Sequence, residues 1–399
     1  MLRFLSDIFW NYKIVSIVTN VLLFGLVLKV LIFEKNLFNK ESKSILKSLL
    51  MFSVLLLFSF IQSINNFTGA VFLKILFSIM MFLYGVIYRD NIYMLLKKME
   101  YVGVFFIMLF FILSFFNFSY QSWGGVRTYN GLYYFKTDMA LAIVIFLSFV
   151  LLSNNLSRLI KTIIAIISCY IIYITNARIH LLSILLVIIV SVYGKYIFVN
   201  FKKKILYFIP LFIAGFIGIV VLYNYFTSSG SLKIDLFSKD AYGDANLQGR
   251  NQIWEAVVIG YKNAPLINQI LGMGLDTDTK LTEDNLEDGS THNAHNGYLF
   301  ILVATGALGF FVFFRFIAQI FNRIILLTKY YSYDQDPYFR GLLYPILNLC
   351  LVNIVVFLVS SFTASTIMFQ QQTWFLMFFA GYLFNITFFN KVFINREKK

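Results

Sequence analysis

The stretch Ser290-Thr291-His292-Asn293-Ala294-His295-Asn296-Gly297-Tyr298-Leu299-Phe300 runs on through apolar residues to Gly306-Ala307-Leu308-Gly309. It marks where the longest polar segment of the chain re-enters an apolar helix, and it holds two of the 3 histidines. Read as one helix from His295, eleven residues advance about 1,100°, which puts Gly306 ~20° from His295 and about three turns deeper. Gly309 falls ~40° to the other side on the same count. One helix face would then carry an imidazole at its outer end and two packing glycines beneath it. Glycines on a membrane helix let a neighbouring backbone come close.

The 399 residues around this stretch are 59% hydrophobic and 13% charged, with 47 Phe and 25 Tyr. A soluble domain carries roughly 25% charged residues. Many apolar runs reach the ~18 residues that a membrane-crossing helix needs. The reading is an all-α polytopic membrane protein, with residues 1–399 as a single integral membrane domain. A net charge of +14 does not make it a nucleic-acid binder, because most Lys and Arg sit in short connectors between apolar runs. Cys169 and Cys350 lie inside apolar runs, so there is no disulfide framework and no thiolate metal site. The N-terminal apolar run from Ile14 lacks a small-residue cleavage site and reads as a retained helix.

A bundle of about eleven spans (ten to twelve) is expected, near 14–33, 45–64, 67–88, 101–118, 138–153, 159–176, 179–199, 205–226, 297–321, 342–361 and 373–394. Positive charge alternates between connectors. Lys35, Lys40 and Lys43, then Arg89, Lys97 and Lys98, then Lys202, Lys203 and Lys204 mark the cytoplasmic side. The large loop, residues 227–296, then faces the periplasm or exterior. A smaller outward connector, Asn117 to Asp138, contains Trp123-Gly124-Gly125, Arg127 and Lys136.

Within the large loop, Ile253, Trp254, Val257, Val258 and Tyr261 have helical spacing, and Pro265 ends the run. An amphipathic helix near 250–263, lying on the outer membrane surface, is expected. Arg250 would sit in its first turn, where helix ends favour anions. An arginine is out of place there unless an anionic partner such as a phosphate is supplied, and guanidinium binds phosphate bidentately. Arg178 lies between two apolar runs, and an arginine near membrane depth is costly unless it serves a function. His180 reads as a packing or interfacial residue, and Asp276 to Asp288 as a solvated acidic loop. Gly272-Met273-Gly274 reads as a tight turn only. His292 and His295 lack a third ligand for zinc, so no metal is expected. A neutral imidazole can instead take a proton from a hydroxyl.

Taken in order, Thr175-Asn176-Ala177-Arg178, Gly249-Arg250, Trp254, Pro265, Gly272-Met273-Gly274, His295-Asn296 and Gly306-Ala307-Leu308-Gly309 resemble the O-antigen ligase/polymerase family of bacterial envelope glycan enzymes. Gly131-Leu132-Tyr133 and Phe135-Lys136-Thr137-Asp138 look like a segment of capsule and O-antigen polymerases. The likeness runs from about residue 120 to about 310. It implies a multi-helix bundle in the bacterial inner membrane with an external loop covering the site. The implied activity is a glycosyltransferase acting on glycans carried by undecaprenyl diphosphate, with no cofactor. By the same resemblance Arg178 and Arg250 would hold the diphosphate and His295 would activate the acceptor hydroxyl. His292, Asn296, Arg127 and Lys136 would be accessory, and Gly306 and Gly309 would pack helices. The implied partners are lipid-linked oligosaccharide, membrane lipid and a chain-length regulator protein. The acceptor distinguishes two activities: polymerases extend another lipid-linked repeat, the favoured reading here, while ligases load lipid A-core. A polysaccharide flippase is the reading from another class, since transporters also carry intramembrane charge.

Overall fold

The computed structural model describes residues 18, 20–22, 24–25, 40–88, 91–123, 126–152, 155–177, 179–198, 250–286, 289–333, 337–362 and 364–385. The first helices are α1 (Lys40–Gln62), α2 (Asn66–Ile87) and α3 (Ile92–Leu113). A hairpin of β1 (Tyr120–Trp123) and β2 (Val126–Tyr129) follows, then α4 (Lys136–Leu152), α5 (Arg158–Thr175) and α6 (Ile179–Phe198). The large loop supplies α7 (Arg250–Asn263), α8 (Leu266–Leu271) and α9 (Thr277–Asn285). The chain then returns to the bundle through α10 (Gly297–Tyr333), α11 (Pro337–Ser360) and α12 (Gln370–Tyr382).

The protein is an all-α polytopic membrane protein. Among the described residues, five helices are long and apolar enough to cross a membrane: Ser42–Gln62, Phe67–Ile87, Arg158–Thr175, Gly297–Thr328 and Leu343–Ser360. Four further expected spans coincide with helices that are shorter or more charged, one of them 179–199, whose apolar helix is Ile179–Tyr193. The run α3 includes Lys97, Lys98 and Glu100, α4 has 17 residues and α12 has 13. The expected span 205–226 and most of 14–33 lie outside the described residues, as do positions 227–249 of the large loop.

Local chemistry sets several helix ends. Asn65 and Thr68 form a reciprocal capping box that starts α2. Ser157 caps α5, and Asn176 ends it in the left-handed conformation. Helix α4 is apolar all round and buried along most of its length, as a helix at the centre of a bundle must be.

The helix directions put one set of connectors at one end of the bundle. Gln319 of α10 donates to Ser44 of α1 at 3.2 Å, while Leu275, ahead of α10, donates to Ser59 near the other end of α1. The two helices are therefore antiparallel. Helix α12 runs parallel to α2, with Thr373 against Ser78 and Asn385 donating to the carbonyl of Tyr88. Arg323, far down α10, donates to the carbonyl of Leu383. From the far end α3 returns, and Glu100 there accepts from Asn155 and the Leu156 N–H ahead of α5. The end that holds His295 thus also holds the β1–β2 hairpin and the α5–α6 turn.

Candidate active site

Three short helices of the loop fold onto the start of α10. Val257 of α7, Leu281 of α9, Ala294 and Val303 form a small apolar cluster of their own. The face of α7 carrying Ile253, Ala256 and Val257 is buried, so it packs on protein where an amphipathic surface helix would lie on lipid. Gly260 makes this possible, because a Cβ there would meet the side chain of Leu281 at 2.6 Å.

The helix reading of His295 needs correction. Helix α10 begins at Gly297, and His295 lies ahead of it in the left-handed conformation, with φ 46°. That is an uncommon conformation for a residue with a Cβ and persists only where neighbours hold it. They do so on both sides. The Ala294 N–H donates to Asp278 Oδ2 at 2.9 Å, and the Ala294 carbonyl accepts from Trp254 Nε1 at 2.8 Å. The His292 N–H donates to the Thr282 hydroxyl at 2.9 Å. After His295, the Asn296 side chain accepts from the N–H groups of Tyr298 and Leu299, which caps α10. The Gly297 N–H reaches the carbonyls of Ser361 at 2.7 Å and Ala364 at 3.1 Å. Gly297 is also tightly placed, since a Cβ would come within 3.1 Å of the Ser361 side chain.

His295 opens to solvent, yet the protein around it disfavours the charged ring and lowers its pKa below the usual histidine value. The positive charge of Arg250 lowers it further, and His292 adds a smaller push. The charge of Arg250, the first residue of α7, therefore acts on His295, 45 positions on. An imidazole kept neutral next to a guanidinium can accept a proton close to an anion site.

Asp278 is the residue that the sequence concealed. The run 276–288 was expected to be solvated, but Asp278 is 2% exposed. Burial raises its carboxyl to about 6, against the lowering effect of the Ala294, Asp278 and Thr279 N–H groups. Glu283 and Asp284 are exposed, so the acidic run is solvated only in part.

Gly306 does not lie on a continuous helical face below the imidazole. It breaks α10 with φ 68° and ψ −179°, a region open essentially to glycine. A Cβ there would collide with the carbonyl of Ile270 and the nitrogen of Gly272. Gly272, with φ 99°, faces it, and a Cβ on Gly272 would strike the carbonyl of Ala304. The two glycine motifs therefore form one backbone-to-backbone contact. The Val303 carbonyl freed by the break finds a partner in the loop, accepting from the Met273 N–H at 2.9 Å. Gly309 faces the side chain of Thr305 in its own helix, not a neighbouring one.

Arg127 lies on β2, hydrogen-bonded to Asn117, and Lys136 opens α4, both at the His295 end of the bundle. Arg178 lies outside the described residues. His180 is buried in α6.

The family model described as O-antigen ligase matches residues 163–314, from α5 through the break in α10. No curated protein matches the chain. The match bears out the resemblance read from the motifs and supports a ligase- or polymerase-like, membrane glycosyltransferase function. Over residues 163–314, which include Arg250 and His295, this multi-pass membrane protein is similar to the O-antigen ligase family.

Proposed function

We propose that the protein polymerises lipid-linked glycan repeat units, taking the glycan from undecaprenyl diphosphate and passing it to a sugar hydroxyl of another lipid-linked repeat. The observation that carries the reading is the pairing of a neutral, rigidly held His295 with the cation of Arg250. The acceptor oxygen attacks the anomeric carbon as His295 takes its proton. The bond from that carbon to the diphosphate oxygen breaks, and its electron pair leaves with the lipid diphosphate. Arg250, joined by Arg178, neutralises that leaving group. One displacement inverts the anomeric carbon, without a covalent enzyme intermediate. The reaction takes place at the periplasmic or external face, and a chain-length regulator is the expected protein partner.

Purified enzyme incubated with one defined lipid-linked repeat tests the proposal. A ladder of longer products is expected, and no elongation from a competent substrate would overturn it. Transfer only when lipid A-core is added would make it a ligase. Crossing of the lipid-linked glycan in vesicles that contain the protein, and not in vesicles that lack it, would favour the flippase.

A further inference from the structure

The β1–β2 hairpin closes the end of the bundle beside α3 and α5. Tyr129 and Tyr120 donate to the carbonyls of Phe110 and Ser114, which ties the hairpin to the end of α3. Arg127 on β2 donates from Nη2 to Asn117 Oδ1 at 2.8 Å, and its guanidinium lies 4.4 Å over the ring of Tyr120. These contacts hold the plane of the guanidinium while using one of its five N–H donors. Among the described residues no carboxylate pairs with it. Arg127 opens on a recess of about 380 Å³, shared with Ser114, Phe115, Asn117, Tyr120 and Ile174.

The rim of this recess is greasy. Phe115, which lines it, is exposed just past the end of α3, a helix that packs in the membrane bundle. A soluble anion would need only the guanidinium. A ligand that also covers the exposed Phe115 ring carries an apolar part next to its charge. Guanidinium matches phosphate oxygens in a fork geometry, and stacking on Tyr120 pre-sets that fork.

We propose that this recess binds a phosphate group borne on a lipid, at a site separate from Arg250. Two sources share that chemistry: an isoprenoid diphosphate glycan carrier and a bilayer phospholipid headgroup. If the proposed polymerisation is right, its second lipid-linked substrate is the natural occupant, and the assignment of that role rests on that reading. The binding itself does not.

The test counts polyprenyl diphosphate bound to the purified full chain, by native mass spectrometry and by titration in nanodiscs. All arms use the His295→Ala background, so the count is independent of turnover. Two molecules are expected on the parent and one on Arg127→Gln, with at least ~10-fold weaker affinity at the lost site. Asn117→Asp supplies a carboxylate partner to Arg127 without removing it, so it also gives one while keeping the hairpin anchored. If Arg127→Gln misfolds, Asn117→Asp decides. Two molecules bound to a folded Asn117→Asp protein, or one on the parent and on both variants, overturn the proposal. Addition of phosphatidylglycerol separates the sources. Displacement at the Arg127 site alone identifies a bilayer headgroup, and resistance identifies the glycan carrier; both support a lipid-borne phosphate. A polymerising His295→Ala enzyme would sink the catalytic reading while leaving this count intact.

Discussion

The carboxylate of Asp278 accepts the backbone N–H of Ala294 at 2.9 Å, while the carbonyl of the same alanine accepts the indole N–H of Trp254. Ala294 precedes His295, so both bonds act on the placement of the imidazole. Asp278→Ala leaves the Ala294 N–H without its acceptor and is expected to cost about 1–3 kcal/mol of stability. Turnover should fall by roughly 10-fold, with donor affinity little changed, because His295 loses its fixed geometry. Asp278→Asn, which keeps an acceptor oxygen, should recover part of the rate. Single-turnover kinetics alongside donor binding check this. Equal loss in both variants would tie the effect to charge and not to the bond.

The same carboxyl has a stability signature. Its folded pKa of about 6 lies above the ordinary value of 3.8, because burial penalises the anion. A raised carboxyl contributes stability that is fully present below its unfolded value and is lost as pH rises through the folded one. Between about pH 4 and pH 6 the wild type should lose on the order of 3 kcal/mol relative to Asp278→Asn. Thermal unfolding of both proteins across that range gives the difference, and parallel curves would show that Asp278 does not titrate there.

His295→Ala is expected to reduce elongation by ~10²–10⁴-fold, the share a general base supplies. Because burial and then Arg250 lower the His295 pKa, activity should rise through a midpoint below the usual histidine value and hold at neutral pH. In Arg250→Gln one of those influences is gone, so the midpoint of the residual activity should move upward. A pH–rate profile unmoved by Arg250→Gln would separate the two groups. His292→Ala should be milder, since its main-chain bond to Thr282 survives the change.

Arg250→Lys should impair elongation nearly as much as Arg250→Ala, since an ammonium cannot offer two parallel N–H groups to a diphosphate. Initial rates on one lipid-linked repeat, with matched amounts of inserted protein, make the comparison. Full activity in the lysine variant would reduce Arg250 to a point charge.

Gly306→Ala puts a methyl group into the backbone of Ile270 and Gly272 at a φ that side chains rarely adopt. A destabilisation of about 2–4 kcal/mol is expected, together with lost turnover. Gly309→Ala also crowds Thr305, in its own helix, but at a φ that side chains adopt freely and without striking the loop backbone, and should cost less. Thermal melts of the two variants rank them, and equal melts would refute the interlock.

The spanning helices were legible because a membrane forces each apolar run to satisfy its own backbone. Helix α7 was legible from its apolar spacing and from Pro265 beyond its end. The expected span from 297 matches the start of α10, and only the face counted from His295 ran past it, although Asn296 directly before Gly297 is a regular capping signal. The hairpin also carried a signal, Gly124-Gly125 between two short runs, that the helical reading passed over. Asp278 carried none. Nothing local separates it from Asp276 or Asp284, and its role depends on a bond to a residue 16 positions away. The meeting of Gly272 with Gly306 was hidden for the same reason, since each glycine alone reads as a turn or a helix contact.

The break at Gly306 also fixes a height. Residues 307–328 of α10 measure about 33 Å at the helical rise, which already matches the oily thickness of a bilayer. The lipid-facing side of that helix begins at Phe311, which is 71% exposed, and continues to Leu326. The nine or so residues ahead of the glycine add about 14 Å that the crossing does not need. Held by the loop, they form a ledge ahead of the crossing stretch, with His295 on its outer edge. In the proposed reaction the diphosphate of a polyprenyl carrier would stay in the headgroup layer, and this ledge would let it meet the imidazole without drawing the anion into hydrocarbon.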